Sequence, residues 1–181
     1  MGARDLLCSA PMRARPLRTG SRVAQYRLGR ELARGGTASV YECFREPDGA
    51  RLAIKVLSAG LRGNAASLAR LLQEGRAIRS LRHERIVQVY DHGTTEDGTG
   101  FVVMELLDGR AIDQELALHG PFAPGRAAFI GRQICEALAA AHARAVIHRD
   151  IKPANIMLVE GQRHGDFVKL LDFGVARLPV D

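Results

Sequence analysis

Between Ile147 and Leu158 the chain reads I-H-R-D-I-K-P-A-N-I-M-L, placing a His, an Arg, an Asp, a Lys and an Asn in a short polar loop between apolar runs. Fourteen residues past Leu158 comes a second polar island, Asp172-Phe173-Gly174, again directly after an apolar run. Two acidic loops, each at the end of a short strand, read as two sides of one charged site. Their side chains could accept a proton, neutralise a charge or hold a cation. At this point the guest is open.

Two more charged residues belong with them. Residues 51–57 alternate as a strand, with Leu52, Ile54 and Val56 on one face and Ala53 and Lys55 on the other. Residues 65–81 then turn to helical periodicity, and Glu74 falls on the same stripe as Leu71, Ile78 and Leu81. A carboxylate on the buried face of a helix needs a partner, because an unpaired charge there is costly to desolvate. Lys55, on the strand just before the helix, is the natural candidate. Gly75, beside Glu74, is a poor helix former, and close packing is the reason expected for it.

The remaining elements frame these residues. Tyr26, Leu28, Arg30 and Leu32 alternate with their neighbours as a strand, and Val40 to Phe44 reads as another. Between them, Ala33-Arg34-Gly35-Gly36-Thr37-Ala38-Ser39 is a small-residue turn. Backbone N–H groups in such a turn can approach a phosphate closely, though a plain flexible hairpin would look the same. Pro47-Asp48-Gly49 marks a tight turn. Ile86–Tyr90 and Phe101–Leu107 read as two further strands, the second interrupted only by Glu105, with Asp108-Gly109 ending it. A second unit begins near Arg110. It holds a short segment at 111–118, an alanine-rich helix at 125–144 that is apolar most of the way round and so expected to be buried on all sides, and the two acidic loops.

Composition excludes some functions. The 181 residues are 46% hydrophobic and 25% charged, ordinary for one globular domain or two small lobes. The apolar runs are far shorter than the roughly 20 residues of a membrane span. Cys8, Cys43 and Cys135 are widely spaced, without a CxxC pair, which argues against a disulfide framework or zinc site and for a reducing, cytoplasmic setting. Residues 1–25 carry five arginines against Asp5 alone, four of the six net positive charges. The basicity therefore belongs to a leader, expected to be disordered, and no nucleic-acid-binding face is expected on the folded part. The leader lacks an apolar secretion core, and Leu6 breaks the myristoylation pattern.

Taken together, Leu52-Ala53-Ile54-Lys55, Glu74, His148-Arg149-Asp150-x-Lys152-x-x-Asn155 and Asp172-Phe173-Gly174 stand in the order of the protein kinase signature set. From about Tyr26 the chain resembles a eukaryotic-type serine/threonine protein kinase domain of the bacterial branch. Lys152 followed by Pro153 is similar to serine/threonine rather than tyrosine kinases. The resemblance implies an α+β, bilobal kinase-like fold. Its N-lobe (26–108) would have five strands and one helix, and 109–181 would form a partial, mainly helical C-lobe. It also implies Mg-ATP as the guest and Ser/Thr hydroxyls of proteins as substrates. Phosphoryl transfer needs alignment and charge stabilisation more than covalent help. By the resemblance, Lys55 would hold the α- and β-phosphates and Glu74 would orient it. Asp150 would accept the hydroxyl proton and Lys152 would steady the transferred group. Asn155 and Asp172 would bind Mg²⁺, a hard ion that prefers oxygen ligands. Ala33, Gly35, Gly36 and Ala38 would cover the phosphates. Val40 and Ala53 would roof the adenine, Met157 would floor it, Met104 would stand as gatekeeper, and the backbone of Glu105 and Leu107 would hydrogen-bond it. Without these motifs, ordinary core packing would account for the apolar members.

The sequence departs from the family twice. Of the three glycines in the phosphate loop only the middle one, Gly35, is kept, and a Cβ at Ala33 or Ala38 restricts positive φ, so weaker ATP contact is expected. The sequence also ends at Asp181, seven residues after Gly174, where the family continues with an activation segment and further helices. The expectation is a partial C-lobe that leaves much of the 125–144 helix uncovered. The alternative function is then a catalytically impaired remnant that binds ATP or a protein partner without transferring phosphate.

Overall fold

The computed structural model describes residues 17–159 and 166–173. Nine strands and three α-helices follow in order: β1 (Arg22–Val23), β2 (Tyr26–Arg34), β3 (Ala38–Arg45), β4 (Arg51–Leu57), α1 (Ala65–Arg79), β5 (Val89–Thr94), β6 (Gly100–Met104), β7 (Gly109–Ala111), α2 (Ile112–His119), α3 (Pro124–His142), β8 (Ile156–Val159) and β9 (Phe167–Leu170). The fold is α+β and kinase-like, with an antiparallel sheet lobe followed by a lobe built on helices.

The first sheet has strand order β1-β2-β3-β4-β6-β5. The register pairs Val40 with Lys55 and Ala53 with Met104, so residues expected around one pocket lie across adjacent strands. Alternation divides β4 as its sequence predicts. Leu52, Ile54 and Val56 join Val23, Tyr26, Leu28, Tyr41, Cys43, Phe101 and Val103 in a core on one face. Ala53 and Lys55 are left to the other face. Helix α1 packs against β5 and β6. Its N-terminus is capped by Asn64, whose side chain accepts the Ser67 N–H at 2.9 Å. Gly75 owes its place to this packing. A Cβ there would lie 2.9 Å from Val102 Cγ2 and 3.3 Å from His92 Cβ.

Two sequence expectations change here. The leader expected to be disordered extends to residue 25, but Arg22 and Val23 pair with Arg27 and Tyr26, and Val23 is 1% exposed in the core. The sheet thus gains a short sixth strand; residues 1–16 lie outside the described residues. The strand expected at 86–90 sits at 89–94 instead. Ile86 and Val87 are buried, but they serve a different contact: Ile86 bridges Leu170 in parallel, and the Val87 N–H donates to the Leu170 carbonyl at 2.9 Å.

In the second lobe β7, β8 and β9 form a small antiparallel sheet. Helix α3, with Pro124 at its first turn where the missing N–H costs nothing, packs against β9. It is not buried all round as expected. Ile130, Gln133, Ala137 and Ala141 make one buried stripe, whereas Phe129 and Cys135 are exposed. A core running through Val102, Ile78, Ile86, Leu170, Ile130 and Phe173 joins this lobe to α1 and the first sheet. No helix among the described residues is long and apolar enough to cross a membrane.

Candidate active site

Strand β4 aims Lys55 at the space under the first sheet, and α1 brings Glu74 to meet it. Lys55 Nζ lies 2.9 Å from Glu74 Oε1 and 2.9 Å from Asp172 Oδ1. One ammonium thus faces two carboxylates, one from each lobe. It can neutralise only one of them. The second negative charge is least tolerated on the more enclosed group, which is Glu74, 13% exposed against 40% for Asp172. Burial pushes the Glu74 carboxyl up to about 7, the nearby Asp172 adds to the rise, and Lys55 opposes it. Burial also pulls on the Lys55 ammonium, but Asp172 and Glu74 more than offset that, so its pKa stands above the ordinary lysine value.

The loop at 148–155 is a hydrogen-bonded turn rather than a flexible link. Lys152 Nζ donates to Asp150 Oδ2 at 2.6 Å. Asn155 Nδ2 donates at 2.9 Å to both the Asp150 carbonyl and Asp150 Oδ2. Lys152 first, and Asn155 with it, hold the Asp150 carboxyl below its usual range, so it is an ionised acceptor at neutral pH. His148 fixes the base of the loop. It is buried, its Nε2–H donates to the Leu171 carbonyl at 2.8 Å, and its ring stacks on Phe173 with centroids 4.4 Å apart. Burial lowers its pKa, consistent with a neutral ring that also accepts the Asp150 N–H at Nδ1.

The two acidic loops are joined directly. The Leu171 N–H donates to the Asn155 carbonyl at 2.9 Å, which holds Asp172 beside the 148–155 loop. Arg149 and Asp172 take left-handed backbone, φ 62° and 37°. Gly174, the last residue of the D-F-G string, lies outside the described residues.

The small-residue turn between β2 and β3 closes on itself, with the Gly35 N–H donating to the Ala38 carbonyl at 2.9 Å. None of residues 33–38 has positive φ, so the restriction expected from Ala33 and Ala38 is not engaged. Ala33 pairs with Val40, and Ala38 is buried against the sheet, paired with Leu57. Below the turn, Val40, Ala53 and Met104 occupy neighbouring register positions. Met157, on β8, pairs with Ala111 and Lys169. Glu105 and Leu107 lie in the segment 105–108 that connects β6 to β7.

Sequence reasoning missed several polar residues that hold this arrangement. Gln133, buried on α3, donates to the Asp166 carbonyl at 2.9 Å, accepts the Val168 N–H at 3.1 Å, and accepts from Arg85. Arg85 also meets Glu136 at 3.0 Å and lies over the Phe167 ring. Lys169 on β9 meets Glu105 at 2.6 Å. The hydrogen-bonded and ion-paired partners are 33 to 64 residues apart in sequence, and no local pattern announces them.

A lysine–glutamate pair under a six-stranded antiparallel sheet, an Asp-Lys-Asn turn and an aspartate facing that lysine are the features by which this chain resembles the protein kinase class. Residues 26–180 match the family model described as protein kinase domain, and the chain belongs to that family. It is 39% identical over 171 residues to the serine/threonine-protein kinase Pkn1 of Myxococcus xanthus, covering 94% of this chain and 24% of that protein. It is 40% identical over 162 residues to the serine/threonine-protein kinase PknD of Mycobacterium tuberculosis, covering 90% and 24%. Among solved structures, the PknI kinase domain of Mycobacterium tuberculosis is similar at 30% identity with a TM-score of 0.75, covering 90% of this chain and 65% of that one. The chain thus spans about a quarter of the length of these curated relatives.

Proposed function

We propose that this chain carries the nucleotide site and catalytic loop of a serine/threonine protein kinase, which moves the γ-phosphoryl group of ATP to a protein hydroxyl. The observation that carries this reading is the position of Lys55, 2.9 Å from both Glu74 and Asp172, with the Asp172 loop bonded to the Asp150–Lys152–Asn155 turn through the Leu171 N–H and the Asn155 carbonyl.

The side chains fit Mg-ATP. Among the described residues no group of three His, Cys, Asp or Glu side chains could cage a metal by itself. That suits Mg²⁺, which is commonly held by one or two carboxylates together with substrate phosphates. Asp172 would supply a carboxylate. Asn155, whose amide nitrogen is committed to Asp150, would supply its amide oxygen. When bound, Mg²⁺ would neutralise charge on the phosphate oxygens.

The residues divide the remaining work. Lys55 binds phosphate oxygens, with Glu74 fixing its direction. Residues 33–38 offer backbone N–H groups from above, with Gly36 leaving open space where a side chain would stand. Val40, Ala53, Met104 and Met157 supply an apolar slot for adenine, and the backbone of Glu105 and Leu107 its hydrogen-bonding edge. Asp150, kept ionised, takes the proton of the substrate hydroxyl. As the hydroxyl oxygen bonds to phosphorus, the bond from phosphorus to the β,γ-bridging oxygen breaks and ADP leaves with the electron pair. Lys152 stabilises the charge on the moving group.

The test is transfer of labelled γ-phosphate from ATP to a general protein substrate bearing Ser and Thr. Transfer lost on Lys55→Met and on Asp172→Asn, with both variants folded, is the expected result. Absence of both transfer and Mg-ATP binding in the wild-type chain would overturn the reading.

A further inference from the structure

We propose that Lys169, which the sequence pattern hides within an apolar run, is a positioning residue for the nucleotide. Its ion pair with Glu105 ties the segment that meets adenine to the strand that carries Asp172. This rests on the kinase reading above and deepens it.

The pair is well enclosed for two charges. Lys169 Nζ is 2.6 Å from Glu105 Oε1, with side chains 14% and 21% exposed. Lysine and glutamate are rarely buried this far unless paired. The same Glu105 Oε1 accepts the Gln88 N–H at 2.7 Å, and the Gln88 carbonyl accepts the Glu105 N–H at 3.0 Å. Glu105 is therefore clasped to residue 88 by backbone and side chain together. One and three residues earlier, the same stretch is bonded to β9: Val87 N–H to the Leu170 carbonyl at 2.9 Å, and Leu170 N–H to the Arg85 carbonyl at 2.8 Å. Lys169 closes the figure by joining β9 back to Glu105.

The result is a ring of three segments, 85–88, 105 and 169–170, with the nucleotide site on one side. Lys169 also pairs directly with Met157 in the antiparallel register, so the two share a sheet face, and the lysine stem lies beside the residue assigned to the adenine floor. Two residues beyond Leu170 is Asp172. Backbone atoms that meet adenine and the carboxylate that meets the phosphates are thus held in one frame. A loosened frame would misplace one end of the nucleotide relative to the other. Contacts to a ligand weaken steeply with such misalignment.

Removing the cation leaves Glu105 enclosed with only the Gln88 N–H. The experiment compares Lys169→Met, Lys169→Arg, Glu105→Gln and the Lys169→Met/Glu105→Gln double variant. Each is measured for melting temperature, for affinity to a non-hydrolysable ATP analogue with Mg²⁺, and for KM against kcat in transfer. The expected result is an analogue affinity about tenfold weaker in Lys169→Met, the scale of one charge-assisted hydrogen bond. KM for ATP should rise by a similar factor, kcat should stay within about twofold, and Lys169→Arg should recover most of the loss. In the Glu105→Gln background Lys169→Met should add little, because the two act through one contact. Unchanged affinity in a folded Lys169→Met, or an equal loss in both backgrounds, would overturn the positioning role while leaving the kinase reading intact. Failure of the wild-type chain to bind the analogue would overturn both.

Discussion

The side-chain amide of Asn155 donates to both the backbone carbonyl and the carboxylate of Asp150, at 2.9 Å each. One residue thereby fixes the shape of the loop and the rotamer of its acid. Asn155→Ala would free the Asp150 carboxylate to swing and would remove the amide oxygen proposed for Mg²⁺. Transfer should fall by about 10²-fold or more, the scale expected when a reacting group is misplaced by an ångström. Asp150→Asn should cost about 10²–10⁴-fold by removing the proposed proton acceptor. A labelled-phosphate assay on each folded variant checks both, and a wild-type rate in Asn155→Ala would contradict the coupling.

The carboxyl of Glu74 gives a pH signature. Its pKa, up to about 7 from the ordinary 4.5, means that the folded chain holds a proton that the unfolded chain releases. The favourable contribution is complete below about pH 4.5 and is lost as pH rises through about 7. Between pH 5 and 8 the wild type should therefore lose stability relative to Glu74→Gln, by at most about 3 kcal/mol. Urea melts of both proteins across that range measure it. A wild type that gains on the variant as pH rises would show that the carboxyl is not held up.

Gly75 sits where α1 meets β6. Alanine there gains about 1 kcal/mol of helix propensity. It also forces a methyl to within 2.9 Å of the buried Val102 side chain. Overpacking of this kind costs about 1–3 kcal/mol, so Gly75→Ala should lower stability on balance. Adding Val102→Ala should recover the contact loss in Gly75→Ala more than its own cavity cost predicts, a non-additivity that a double-mutant cycle reads directly.

Gln133→Leu would fill the same volume on α3 while stranding the Val168 N–H and the Asp166 carbonyl. Each buried group left without a partner costs about 1–3 kcal/mol. A combined loss of about 2–5 kcal/mol in chemical denaturation is expected, with hydrogen exchange at Val168 accelerated.

Much of the site was legible because its residues break local patterns. Glu74 stands on an apolar stripe, Lys55 faces away from Leu52, Ile54 and Val56, and the acids follow apolar runs. Each is a local conflict that function resolves. Lys169 and Glu105 broke patterns too, but their meeting across 64 residues leaves no mark in either neighbourhood. Val23 was misplaced because the arginines around it set the composition of the window. The apolar pattern places the strand at 89–94 three residues early because Ile86 and Val87 are apolar for a different contact, with Leu170. The even spread of alanine in α3 concealed which stripe is buried, since Ala137 and Ala141 face the core while Cys135 does not.

The backbone at Arg149 and Asp172 has a consequence for how this site can change. Both residues take φ values that cost an ordinary side chain about 1–3 kcal/mol. Asparagine tolerates this region best after glycine. Asp172→Asn therefore removes a charge while keeping the geometry, whereas leucine or valine there would spoil the turn as well. Mutational drift at these two positions runs through a narrow gate: the substitutions that fold most readily are those that abolish the charge and preserve the shape. An inactive descendant of this chain would keep its outline, with its losses written in single amides where charges stood.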